Sequence, residues 1–368
     1  MTADAIVIGA GIVGSTIAWR LRQRGASVVL LDAGRLGGEA TWAAAGMLAP
    51  GGEICERSIW LDLALDGLRL YPEYVAELEE ASGYSIDYQR KGAVEVALTD
   101  DELATLETRA SAQGRLGIPS EPVNPADFGV SGPEVLGGRF FPNDALVNPR
   151  EIVRALRVVC APMVWEGVRA SRIESSGNGV RVETSAGQLD APHAVLAAGA
   201  WSSSIEIRVD GQSWKGPEAY PVRGHLFSCE LPTGMLNPIV RHGHTYLVQR
   251  QSGLALVGAT SEEVGFDRTV DAETVEHLRD EAARLIPAYR RAEIVERWTG
   301  FRPATRDAVP AIGRAGDSRL WLAYGHYRNG PPPGLSREFS NKELLCGGPL
   351  VRAGSPLRPA LYSRSELR

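Results

Sequence analysis

Residues 4–32 open on Asp-Ala-Ile-Val-Ile-Gly-Ala-Gly-Ile-Val-Gly and close on Val-Val-Leu-Leu-Asp. No other stretch limits the fold as much. An apolar strand (Ile6, Val7, Ile8) runs into Gly9, Gly11 and Gly14, and a helical pattern (Ile12, Ile17, Leu21) follows. A second strand then ends on an acid, Asp32, at the spacing a dinucleotide fingerprint requires. The three glycines do different things. Gly9 permits the tight turn, Gly11 lets the backbone approach a pyrophosphate, and Gly14 lets the helix lie close on the sheet. The helix N-terminus then presents N–H groups to the phosphates, and Asp32 is placed to accept a ribose hydroxyl. The expected fold class is α/β, with a Rossmann-like parallel sheet at its centre.

Composition narrows the classes of function. The 368 residues are enough for about two domains. A net charge of −6 leaves no basic stripe for nucleic acid. Cys55, Cys160, Cys229 and Cys346 are scattered and form no C-x-x-C pair, which predicts reduced thiols rather than disulfides or zinc. The chain begins on a strand without a basic or apolar leader, and no apolar run reaches the roughly 18 residues of a membrane helix. A cytoplasmic protein without a membrane span is expected.

After Asp32 the residues become small, from Ala33 through Gly-Arg-Leu-Gly-Gly-Glu-Ala-Thr-Trp-Ala-Ala-Ala-Gly-Met-Leu. They suit either a backbone lying against a flat ligand or an ordinary alanine-rich helix start. Leu61, Leu65, Leu68, Val75 and Leu78 predict one long helix kinked at Pro72. Gly92–Leu98 reads as a strand and 101–114 as a charged surface helix; Asn148-Pro149-Arg150 opens another helix. Strand patterns follow at Val164–Ile173 and Gly179–Thr184, and an apolar strand at Ala194–Trp201. Residues 220–260 alternate as an antiparallel sheet (Val222–Cys229, Thr245–Arg250, Leu254–Ala259), and Val275, Leu278, Ala282 and Leu285 share a helix face. Gly300–Pro303 and Leu320–Tyr324 are expected to return to the first domain.

Taken together, Ile8–Ser15, Asp32, Thr41–Leu48, Leu196–Trp201, Pro221–Gly224, Val257–Thr260, Gly300–Ala304 and Gly325–Gly330 resemble the FAD-dependent glycine oxidase/D-amino-acid oxidase/sarcosine oxidase family. The likeness is strongest to the glycine oxidases of thiamine biosynthesis, and covers nearly all of the chain up to Gly330. It implies a discontinuous FAD-binding domain (1–84, 143–212, 299–330) interleaved with an α+β antiparallel-sheet substrate domain (85–142, 213–298). FAD rather than NAD would fill the fingerprint. By matching position, Ile12 and Val13 would lie at the pyrophosphate, Asp32 at the adenosine ribose and the Val168 backbone at the adenine, with Gly9, Gly11, Gly14 and Ala33 also among the cofactor-binding residues. Ala40, Thr41, Ala45, Gly46 and Met47 would contact the cofactor, as would His326, Tyr327, Arg328, Asn329 and Gly330. The final motif holds no cysteine, so the FAD would be non-covalent. A homo-oligomer is suggested by the family alone.

An amino-acid oxidase must hold a carboxylate and orient Cα–H at the flavin. Arginine's planar fork suits the first requirement. Arg302 and Arg328 are the candidate anchors. Tyr246 stands where the family places a hydroxyl donor, although an alternating strand also accounts for it as a packing residue. The expected reaction is hydride transfer from Cα to FAD, with dioxygen as the oxidant and an imine, hydrogen peroxide and a 2-oxo acid as products. No dedicated side-chain base is needed if the amine enters neutral; His244 and His326 are the possible exceptions. Competing readings are a D-amino-acid dehydrogenase with another acceptor, an inactive flavin-binding protein, and an NAD-dependent dehydrogenase.

The chain departs from the family after Gly330. There the family continues with an apolar helix whose first N–H groups face the flavin; this chain has Pro331-Pro332-Pro333-Gly334. Proline carries no N–H to donate. Proline and glycine make up ten of the 38 residues from Pro331 to Arg368, with six basic groups against three acidic. An out-of-frame reading of the last helix and a genuine extension both account for this tail.

Overall fold

The computed structural model describes residues 3–52, 57 and 59–327. A six-stranded sheet lies at the centre, in the order Ala311–Arg314, Leu320–Tyr324, His193–Leu196, Ala5–Ile8, Val28–Leu31, Val164–Trp165. All its pairings are parallel except that of Ala311–Arg314 with Leu320–Tyr324. Strand period explains the layers. Ala5 and Val7 face helices Ile12–Gln23, Ile59–Ser82 and Pro149–Cys160, where Ile17, Leu21, Leu78, Ile152 and Leu156 complete the core. Ile6 and Ile8 face the other way, onto a five-stranded sheet that supplies Ile173, Val180 and Val182. Both faces are buried, so the strands read as unbroken apolar runs.

The helix signals have local causes. Asn148 accepts a hydrogen bond from the Arg150 N–H (3.2 Å), with Pro149 in the first turn, and the helix runs Pro149–Cys160. Thr99 and Glu102 form a capping box that starts Asp100–Arg115. The helix expected around Leu61–Leu78 runs Ile59–Ser82 with Pro72 inside it.

Three expected elements differ. Val164–Ile173 is not one strand: Val164–Trp165 ends the parallel sheet and Ala170–Ser176 begins the five-stranded one, with Gly167 turning between them at φ +75°. The strand expected to reach Trp201 stops at Leu196, because Gly199 (φ +55°) turns the chain into a 3-10 helix, Gly199–Ser204. Gly300–Pro303 does not return to the parallel sheet. It lies inside Ile294–Thr305, with Arg302 opposite Val222, and this strand runs through the boundary expected at 299. Leu320–Tyr324 does return.

The remaining large sheet has eight strands, in the order Ile294–Thr305, Ala219–Glu230, Leu254–Gly258, Thr245–Gln249, Ile239–His242, Ala93–Ala97, Gly137–Phe141, Glu121–Val123. It is mixed rather than purely antiparallel, since Ile239–His242 pairs in parallel with Ala93–Ala97. One face buries Val94, Val240, Leu247 and Val257 against Val275, Leu278 and Ala282 of helix Ala272–Leu285. The other face, with Leu226, Tyr246, Val248 and Leu256, turns toward Ala45 and Met47 of the first half of the chain. Among the described residues no helix is long and apolar enough to cross a membrane. Cys160 and Cys229 are free and buried, and burial pushes their thiols up to about 12 and about 11.

Candidate active site

A cleft of about 890 Å³ lies between the parallel sheet and the eight-stranded sheet. The fingerprint forms one end. Gly9 has φ +101°, and a Cβ there would lie 2.4 Å from the Ala197 carbonyl oxygen. At Gly14 a Cβ would lie 1.9 Å from the Gly9 oxygen, so Gly14 serves helix–sheet packing and does not line the cleft. Gly11 differs from both. A Cβ there would meet only the Thr41 hydroxyl, at 3.5 Å, so its hydrogen faces open space. The first intrahelical bond runs from Ser15 N–H to the Gly11 carbonyl (2.9 Å), and Thr41 Oγ1 accepts from Ile12 N–H (3.0 Å). Helix geometry leaves the N–H of Val13, which lines the cleft, for an anion.

Asp32 sits at the lip. Its two carboxylate oxygens accept from Ala10 N–H and Gly34 N–H, each at 2.7 Å. Burial raises its pKa more than these bonds lower it. Val168 donates its N–H to the Asp32 carbonyl (2.8 Å) and lines the cleft beside it. Ala33, Ala40, Thr41, Ala45, Gly46 and Met47 continue along the same wall. Gly46 is fixed by φ +88° and by the Val147 oxygen, 1.9 Å from where its Cβ would be. A long ligand with a pyrophosphate, a ribose and a flat ring meets a matching floor here: open amides at one end, small side chains at the other.

Across the cleft, the eight-stranded sheet contributes Arg302 and Tyr246. Arg302 donates through Nη1 to the Thr260 carbonyl (2.8 Å) and has no carboxylate partner among the described residues. Thr260 is held in turn: its hydroxyl accepts from His225 N–H (2.9 Å) and donates to Glu262. Glu262 also accepts from Arg223 and meets His225 Nδ1 at 2.8 Å; burial raises its pKa, but the hydrogen bonds outweigh it and hold the carboxyl below its ordinary value. Two glycines make room for these two side chains. A Cβ on Gly224 would lie 2.6 Å from both terminal nitrogens of Arg302, and one on Gly258 would lie 2.5 Å from the Tyr246 hydroxyl.

Of the other expected site residues, Tyr327 lines the cleft and donates its N–H to the Pro303 carbonyl (2.9 Å). His326 also lines it and is buried; desolvation pushes its pKa down to about 4, so it is neutral near pH 7. His244 stands exposed at the wall. Arg328, Asn329, Gly330 and the proline-rich tail from Pro331 lie outside the described residues. Gly224, Gly258 and Thr260 fall within segments that carry the family resemblance but were given no place in the site, and Arg250 was read only as part of a strand. A glycine inside a strand pattern signals close approach, and that signal was present at 224 and 258.

The model of the family described as FAD dependent oxidoreductase matches residues 4–331. The chain belongs to that family. Its cofactor is FAD, and this oxidoreductase is an enzyme similar to glycine oxidases. It is 31% identical over 352 residues to the glycine oxidase of Bacillus subtilis, with 93% of this chain and 94% of that one covered. It is 32% identical to the Bifunctional protein ThiO/ThiG of Trichormus variabilis, covering 90% of this chain and 50% of that one. Among solved structures, the glycine oxidase of Geobacillus kaustophilus superposes with a TM-score of 0.87 at 28% identity, covering 98% and 99% of the two chains. The oxidoreductase therefore carries the mixed α/β architecture expected of it, a parallel Rossmann-like sheet beside the sheets of a substrate domain.

Proposed function

We propose that this enzyme oxidises glycine or another small amine or D-amino acid, with Arg302 binding the substrate carboxylate and Tyr246 donating a hydrogen bond to it. One observation carries the reading. Arg302 is a partly buried guanidinium without an acid partner among the described residues, held by one nitrogen over the cleft that the fingerprint and the small-residue floor also line. A charge desolvated in this way calls for an anion from outside the chain.

When bound, FAD supplies a hydride acceptor for the substrate Cα–H, and its reoxidation by dioxygen gives hydrogen peroxide. The chain's own residues bind, orient and desolvate. The Val13 N–H would hold the pyrophosphate, Asp32 the ribose, and the Val168 backbone the adenine. His326, neutral through burial, adds no charge to the wall and is not an imidazolium acid near neutral pH. The substrate amine enters neutral, and the released imine hydrolyses to a 2-oxo acid. Supply of that imine to thiazole assembly is the role the resemblance to glycine oxidases implies, in the cytoplasm and with the FAD non-covalent.

The test is an absorption spectrum of the purified protein followed by a peroxide-coupled panel of amines. Yellow protein that releases peroxide with glycine or sarcosine supports the reading. Dye reduction without peroxide would move it to a dehydrogenase, and colourless protein after FAD supplementation would end it.

A further inference from the structure

One wall of the cleft is lined by charges that the proposed reaction does not use. Glu95, Arg109 and Arg241 line it, and Asp144 stands behind them. Glu95 and Arg241 are only 8% and 7% exposed. Arg109 pairs with Glu95 Oε1, and Arg241 Nη1 donates to Asp144 at 2.8 Å. Two guanidiniums thus face two carboxylates, and the group is electroneutral. Its hydrogen bonding is incomplete. Arg241 Nη2 and Glu95 Oε2 stand 3.7 Å apart, beyond hydrogen-bond reach, and both atoms, with Arg241 Nε and Arg109 Nε, are buried without a hydrogen-bond partner.

Strand register ties this group to the proposed substrate site. Tyr246 is opposite Arg241, and Arg241 is opposite Glu95, so the three form one transverse row on one face of the sheet. Neighbouring strands lie about 4.8 Å apart, which puts the Glu95 backbone about 10 Å from that of Tyr246. A Cβ on Gly52 would lie 3.0 Å from Arg241 Nη1, so glycine there leaves room for the guanidinium.

We propose that Arg241 and Glu95 form a second subsite that receives a neutral group with both an acceptor and a donor, a carboxamide, at the far end of the substrate. The proposal rests on the reading of Arg302 as the carboxylate anchor. The carboxamide oxygen accepts from the free donors of Arg241, and its NH₂ donates to Glu95 Oε2. A second carboxylate would satisfy the donors but leave Glu95 Oε2 facing a like charge in a wall already neutral, and an apolar group would leave all these atoms unpaired.

The experiment compares D-asparagine, D-glutamine and N-(carbamoylmethyl)glycine with D-aspartate, D-glutamate and iminodiacetate, and with D-leucine, on the FAD-loaded full chain. Two readouts are taken: kcat/KM, and the shift in melting temperature at saturating ligand. At least one carboxamide is expected to exceed its isosteric acid and D-leucine by roughly 10-fold in kcat/KM and to give the larger thermal shift. Glu95→Gln removes one negative charge and replaces the free acceptor with an amide, so it is expected to turn the preference toward the isosteric acid. Arg241→Met is expected to erase the ratio. Equal ratios for amide, acid and leucine in the parent, or a Glu95→Gln ratio that does not move, overturn the proposal. Glycine is the control: turnover of glycine without amide selectivity sinks the subsite alone, whereas no flavin reduction by any amine sinks the underlying reading.

Discussion

The guanidinium of Arg302 lies directly over the backbone of Gly224, so close that a Cβ at 224 would come within 2.6 Å of both its terminal nitrogens. Strand pairing makes this possible, since Val222 is opposite Arg302 and Gly224 opposite Gly300 on the two neighbouring strands. Gly224→Ala is therefore expected to push the fork off its seat on the Thr260 carbonyl while the strand itself persists. Losing a charge-assisted hydrogen bond of about 1.5–3 kcal/mol predicts a rise in KM for glycine of roughly 10- to 150-fold. Steady-state kinetics beside a circular dichroism melt check it; an unchanged KM would show that Arg302 does not grip the carboxylate.

Substituting Arg302 itself separates charge from shape. Arg302→Lys keeps the charge but loses the planar fork, and Arg302→Met loses both. Binding of a non-oxidisable carboxylate such as benzoate, read from the visible spectrum of the bound flavin, is expected to weaken in the order parent, Lys, Met. The methionine variant should bind roughly 10-fold or more weaker than the parent. Equal binding by all three would place the carboxylate elsewhere.

The fingerprint end of the site was legible in the sequence because its chemistry is local. Gly9, Gly11, Gly14 and Asp32 act through backbone turns and spacing within one βαβ unit, and both survive in the linear sequence. Arg302 and Tyr246 were reached through resemblance, since they meet the fingerprint only after the strands fold back. The splitting of Val164–Ile173 was hidden because apolar alternation does not record a change of sheet, although Gly167 marked the turn. The placement of Gly300–Pro303 in the large sheet was hidden for a related reason: strand partners are set by tertiary pairing. Glu95, Arg109, Arg241 and Asp144 come from separate segments, and no sequence period brings them together.

Arg250 ties the small-residue wall to the large sheet. Its guanidinium is buried and donates to the carbonyls of Ala45 (2.5 Å) and Val147 (2.9 Å), on either side of Gly46 in space. Burial lowers its pKa to about 10, still charged near neutral pH. Arg250→Met leaves two buried carbonyls without their donor, at about 1–3 kcal/mol each. The expected result is a lower melting temperature and FAD that dissociates on gel filtration, with KM for glycine affected less than cofactor retention. Full retention of FAD would show that Ala45 and Gly46 hold their conformation unaided.

His326 gives the enzyme an acid-sensitive wall. Its pKa falls from 6.5 to about 4 because burial disfavours the charged ring. A group depressed in the folded state binds its proton more readily in the unfolded chain, so between pH 6.5 and about 4 unfolding takes up a proton. Stability from this residue is whole above pH 6.5 and declines as the pH drops through that window, by roughly 3 kcal/mol at most. Other groups titrate in the same range, so the comparison is with His326→Gln, which cannot take the proton. Urea midpoints at pH 7.5, 6 and 5 should fall more steeply in the parent than in the variant. Parallel slopes would show that the ring is solvated, and its neutrality at the cleft wall would go with it.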